Sequence, residues 1–141
     1  MIDMVKQSGT NYDWESGLEV LHQESKSWVS EIELWQVELN FFEKYLLKNR
    51  SMFTSESDLN RIQHFDNRIK YYRHDLLHKF TKKILGYEKY LARELKTADL
   101  PDDSTYRYKH HEMASHIHPF RIEFNMFKRD FFDVMTDTIL H

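Results

Sequence analysis

The 141-residue chain contains no cysteine, so no disulfide can staple it and no thiolate can act as a nucleophile. That absence fits a reducing cytoplasm, and 141 residues are enough for one domain to bury a continuous core without staples. Glycine occurs three times and proline twice. No glycines gather into a loop that could cradle phosphate, and none bracket a serine as a strained nucleophile turn requires. No stretch nears the roughly eighteen consecutive apolar residues of a membrane span. Between Met1 and Thr10, Asp3, Lys6, Gln7 and Ser8 interrupt any run of signal-peptide length. A soluble, cytoplasmic chain with no membrane partner is expected.

Charge is nearly balanced at a net -3, which gives no electrostatic reason to expect a nucleic acid. Its distribution carries more information. Residues 1–50 hold nine acids against five bases, residues 51–100 seven against ten, and residues 101–141 seven against five. A basic middle third between acidic neighbours favours pairing of unlike helices and opposes two like copies side by side.

What the chain does have is a seven-residue apolar repeat. Trp14, Leu18, Leu21, Ser25, Trp28, Ile32, Trp35, Leu39, Phe42 and Leu46 alternate spacings of four and three. This is the pattern of a long helix that buries one seam against nearly parallel neighbours. A second segment runs Leu59, Ile62, Phe65, Ile69, Tyr72, Leu76, Phe80, Ile84, Tyr87, Leu91, Leu95. Successive spacings of four around Leu76 to Ile84 read as a stutter that relaxes supercoiling. Its start is marked by Thr54, Ser55 and Ser57 ahead of Glu56 and Asp58, oxygens and acids that satisfy free N–H groups and the helix dipole. Leu100-Pro101-Asp102-Asp103-Ser104 makes the next break. The third segment, Tyr106, His110, Met113, Ile117, Phe120, Phe124, Phe127, Phe131, Val134, keeps its phase through Pro119, which predicts one helix kinked there and not two helices.

The expected fold is therefore all-α, an antiparallel up-down-up three-helix bundle, coiled-coil-like, with helices at about 13–48, 56–96 and 104–138 and the third kinked near Pro119. Residues 1–11 are expected to form a flexible N-terminal segment and residues 12–141 a single domain. If the first hairpin turns near residue 53, Glu38 comes level with Arg68 and Glu24 with Lys82. With Glu31 these acids line one edge of the seam and are expected to pair with the second helix.

Nine histidines are the remaining source of chemistry near neutral pH. His74 and His78 share a helix face, but that face points away from the seam. His111-Glu112-Met113-Ala114-Ser115-His116 misses the zinc-protease spacing by one residue. His110 falls on the seam, where a core histidine bonded to a tyrosine is expected. Di-iron bundles need two Glu-x-x-His units facing inward, and Glu19 to His22 matches once. The candidate metal ligands are thus His22, Glu24, His78 and His118, grouped near mid-rod, and they support an alternative reading as a His/carboxylate metal-binding bundle with metal-dependent activity. Apart from that, no catalytic residues and no cofactor are expected. Val20, Leu34, Val37 and Phe41 form a second apolar line on the back of the first helix, where a three-helix bundle should be polar. Leu34, Val37 and Phe41 are the candidate interface, and the expected role is non-enzymatic, through protein contacts, as a homodimer or with another helical protein.

Overall fold

The computed structural model describes residues 11–96 and 103–140, and side chains over 17–93 and 105–138. Trp14, Leu95, the flexible segment expected ahead of the first helix and the Leu100–Ser104 break lie outside the described side chains. Among the described residues only Phe53, Thr54 and Ser55 are outside a helix. Helix α1 is Asn11–Asn49, followed by a tight turn at Arg50–Met52. The second rod has three pieces: α2 (Glu56–Lys70), a π-helical turn (Tyr71–Leu76) and α3 (Leu77–Lys96). Helix α4 is Asp103–Leu140 and runs through Pro119 without a break. No helix among the described residues is long and apolar enough to cross a membrane.

The first seam is buried as its spacing requires: Leu18, Ser25, Trp28, Ile32, Trp35, Leu39, Phe42 and Leu46 all lose solvent, and Leu21 is half-buried. At the C-terminal end the Asn49 side-chain amide donates to the Tyr45 carbonyl at 3.0 Å. The chain then turns so that Phe53, on extended backbone, drives its ring into the core. Ser55 caps α2, its hydroxyl accepting the Asp58 N–H at 3.1 Å, with Glu56 and Asp58 in the first turn. Leu59, expected on the seam, is 41% exposed. The core at this end holds Phe53 and Ile62.

The stutter takes the form of a π turn. Buried positions on the second rod are Ile62, Phe65, Ile69, Tyr72, Leu77, Phe80, Ile84, Tyr87 and Leu91, so Leu77 replaces the expected Leu76 on the seam. Every interval is three or four residues except Tyr72 to Leu77, which is five, and there the Leu77 N–H donates to the Tyr72 carbonyl. A wider turn uses one extra residue and returns the helix to phase. Leu76 is half-buried against the same core, so both adjacent leucines contribute. On α4 a similar shift buries Met135 and leaves Val134 packed at the edge. Gly86 has open space around its Cα, so its cost of about 1 kcal/mol relative to alanine is tolerated without a close contact in return. Pro119 is exposed.

Residues from all three rods join one buried cluster that runs from Trp28, Ile84 and Met113 to Leu46, Phe53 and Met135. A smaller cluster holds Leu18, Tyr87, Leu91 and Tyr106. Rings dominate the main cluster. Phe120, Phe124 and Phe127 stack in succession along α4, with Trp35 and Tyr72 edge-on to Phe124 from the other two rods. Edge-to-face pairs of this kind add about 0.5–1.5 kcal/mol beyond area burial.

The glutamate edge of α1 meets α4, which corrects the expected pairing with the second rod. Glu31 accepts two hydrogen bonds from Arg121 at 2.6 and 2.7 Å, and Glu38 accepts from Lys128 at 3.0 and 3.1 Å. Glu24 bonds His110, not Lys82, and Arg68 pairs with Glu123 at 2.6 Å, not with Glu38. The second rod reaches α1 through a different acid, Glu43, which accepts from Arg73.

Candidate functional site

Between the two apolar clusters lies a polar layer to which each rod contributes. On α1 the repeat places Ser25 inward and Glu24 at the edge; on α3 it places Tyr87 inward; on α4 it places His110 on the seam. The His110 ring stacks on Trp28, with centroids 4.6 Å apart and planes 24° from parallel. Its Nε2 lies 2.6 Å from Glu24 Oε1 and its Nδ1 3.1 Å from the Tyr87 hydroxyl. An ionised carboxylate only accepts, so Nε2 carries the hydrogen; in the neutral form of the ring Nδ1 is then the acceptor and Tyr87 the donor. This completes the expected seam histidine bonded to a tyrosine. Glu24 remains 46% exposed at its side chain, which leaves the layer open to water on one side.

A second polar group flanks the first. The Ser25 hydroxyl lies 2.9 Å from the His22 carbonyl and 3.3 Å from Glu88 Oε2, and Glu88 also sits 3.6 Å from His22 Nδ1. That nitrogen is buried and makes no hydrogen bond. Polar groups taken from water cost more than apolar ones unless paired; in this layer the Ser25 hydroxyl and both His110 nitrogens are paired and His22 Nδ1 is not. Only one axial setting of the rods brings Glu24, Tyr87 and His110 together. Glu88 could not be singled out from spacing alone. Glu24 could: it continues the seven-residue interval of Glu31 and Glu38.

The four candidate metal ligands are placed apart. His22 goes with Glu88 and Glu24 with His110, while His78 and His118 are exposed and the His118 ring lies T-shaped to Trp28, at 6.5 Å between centroids. Among the described residues no three or more His, Asp or Glu side chains converge as a ligand set. His74, His111 and His116 are exposed. A groove of about 700 Å³ runs between α2 and α4 past Phe65, Arg68, Pro119, Ile122, Glu123 and Met126. It does not reach the polar layer.

The outward line on α1 is where the spacing places it. Leu34 is 57%, Val37 63% and Phe41 54% exposed. The Phe41 ring continues into Phe42 at 6.0 Å, and Phe42 meets the half-exposed Phe132 of α4 at 5.5 Å. Phe41 and Phe132 thus meet the same buried Phe42 ring from the two rods.

Two tyrosines have phenol pKa values well above the ordinary range. For Tyr87 the cause is burial, then the charge of Glu24 and the neighbouring Tyr90. For Tyr72 it is burial, then its hydrogen bond to Glu123 at 2.6 Å, opposed by Arg68. The folded chain therefore holds these protons more tightly than the unfolded chain. Below about pH 10 neither group changes stability with pH; above it the unfolded state loses its phenolic protons first, and stability falls by up to about 1.4 kcal/mol per pH unit per tyrosine. Urea titrations between about pH 9 and 11.5 should show this fall, and Tyr87→Phe and Tyr72→Phe should each remove about one tyrosine's share of the slope.

No protein-family model matches this chain, and comparison with curated proteins and with solved structures finds no similar protein.

Proposed function

We propose that the chain is a non-enzymatic three-helix bundle, up-down-up in order and bent near Pro119, that acts through protein contacts and self-associates through Leu34, Val37 and Phe41. The ion pairs support this order. Glu31–Arg121 and Glu38–Lys128 are each separated by 90 residues, as in rods that run the same way. Between α1 and the second rod the partners run oppositely: Glu43 meets Arg73, and His22 meets Glu88. The polar layer holds the alignment, a use for buried polar groups known from coiled coils.

The observation that carries the functional reading is the outward apolar line itself. A rod in a three-helix bundle needs one apolar seam, and α1 buries that seam, Leu21 only partly, while Leu34, Val37 and Phe41 are among further large apolar side chains that stay more than half exposed. Large apolar side chains left exposed together on the back of a rod mark a contact surface. In light scattering the chain should have twice its 17.3 kDa mass, and Phe41→Glu should return it to the single-chain value with helical content unchanged. A monomer at every concentration, unaffected by Phe41→Glu, would refute self-association.

A further inference from the structure

The back of α1 carries two adjoining columns at seven-residue intervals. One reads Ser27, Leu34, Phe41 and the other Ser30, Val37, Lys44, all exposed. Between Ser27 and Lys44 each column changes from small and polar toward the N-terminal side to large and apolar or basic toward the C-terminal side. Such a gradient cannot match itself in parallel: Lys44 would face Lys44, Phe41 would face Phe41, and the serines would leave a gap. Reversed, it matches itself. Leu34 then faces Val37 of the second copy, Phe41 lies over Ser30, and Lys44 lies over Ser27.

Resting on the self-association reading above, we propose that a second copy of this chain packs antiparallel along the back of α1, about a two-fold axis between Trp35 and Gln36. Three considerations favour this occupant. Phe41 and Lys44 each meet a serine in the outer layers while Leu34 meets Val37 in the central one, so the interface can close at interior density. Lys48 comes level with Gln23 of the second copy, one turn from Glu19, and both charged residues are exposed; parallel packing would set Lys44 and Lys48 against their own copies, which is destabilising. The arrangement is also isologous, so two copies use the same patch on each other and assembly stops at a dimer.

The chain's lack of cysteine makes the test direct. Ser27→Cys and Lys44→Cys each place one thiol on this exposed face. In the proposed dimer each introduced cysteine lies about 25 Å from its own copy, at 1.5 Å per residue, far beyond the roughly 4.4–6.8 Å that a disulfide spans between Cα atoms. The two different cysteines face each other. Oxidation should therefore leave either variant alone unlinked, and should link a mixture of the two into a heterodimer containing about half of the chains, the statistical share for a two-fold pair. Self-linking of either variant would show parallel packing and overturn the proposal. A dimer by light scattering with no link in the mixture would place the contact elsewhere, such as the groove beside Ile122 and Met126, and would also overturn it. A monomeric mass would overturn the self-association reading itself, which distinguishes that failure from a wrong geometry.

Discussion

Deleting Lys83 is expected to destabilise the chain by more than about 5 kcal/mol, enough to leave it largely unfolded, whereas deleting His74 should change its stability by less than about 1 kcal/mol. Both residues are exposed, so the difference cannot come from the side chains removed. It comes from phase. Loss of Lys83 rotates everything after it by about one residue, turning Ile84, Tyr87 and Leu91 out of the core and bringing Leu85, Glu88 and Ala92 in. Full burial of each of the three is worth about 1.5–3 kcal/mol, Tyr87 would leave His110, and a carboxylate would take its place.

Loss of His74 removes the one surplus residue of the second rod. The five-residue interval from Tyr72 to Leu77 becomes four, and the buried positions from Ile62 to Leu91 then alternate three and four without exception. The π turn becomes an ordinary α turn, while Arg73 keeps its place upstream to meet Glu43. Urea denaturation followed by far-UV circular dichroism would measure both variants. Equal losses would mean that the π turn does not set the register of α3.

The repeat in the sequence was enough to outline the helices and most of the buried seam, because one side chain in every three or four must face the core whatever the neighbours are. Register failed where two apolar residues stand together. Leu76 and Leu77, and likewise Val134 and Met135, satisfy the repeat almost equally well, and the winner depends on whether the helix can widen by one residue at small cost. The partners of Glu24, Glu31 and Glu38 failed for another reason. One edge of a helix can meet either of two neighbouring rods, according to the side on which the chain returns, and spacing along the sequence does not encode that side.

For the candidate sites, His110 was legible because its position in the repeat forces it inward. Its third partner, Glu24, is legible as an edge residue, but spacing does not choose between the two rods it can meet. The outward line of Leu34, Val37 and Phe41 was legible because surplus apolar residues on the back of a rod stand out against a polar expectation. Glu88 was not, since nothing in its own spacing separates it from a solvated surface acid.

Most of this account depends on rings from all three rods sharing one dry interior, and Phe124 is the residue that tests it. It has no exposed surface. It stacks on Phe120 and Phe127 at 5.5 and 6.0 Å between centroids, and it meets Trp35 and Phe42 of α1 and Tyr72 of the second rod at 6.1, 6.4 and 5.9 Å. The Lys128 ammonium lies 4.8 Å from its centroid. Truncation would remove contacts to both other rods and leave a cavity that rigid neighbouring rings cannot fill. The decisive measurement is the unfolding free energy of Phe124→Ala against the parent chain: the account predicts a loss of about 3–5 kcal/mol, and a loss below about 1 kcal/mol, as for a side chain facing water, would contradict it.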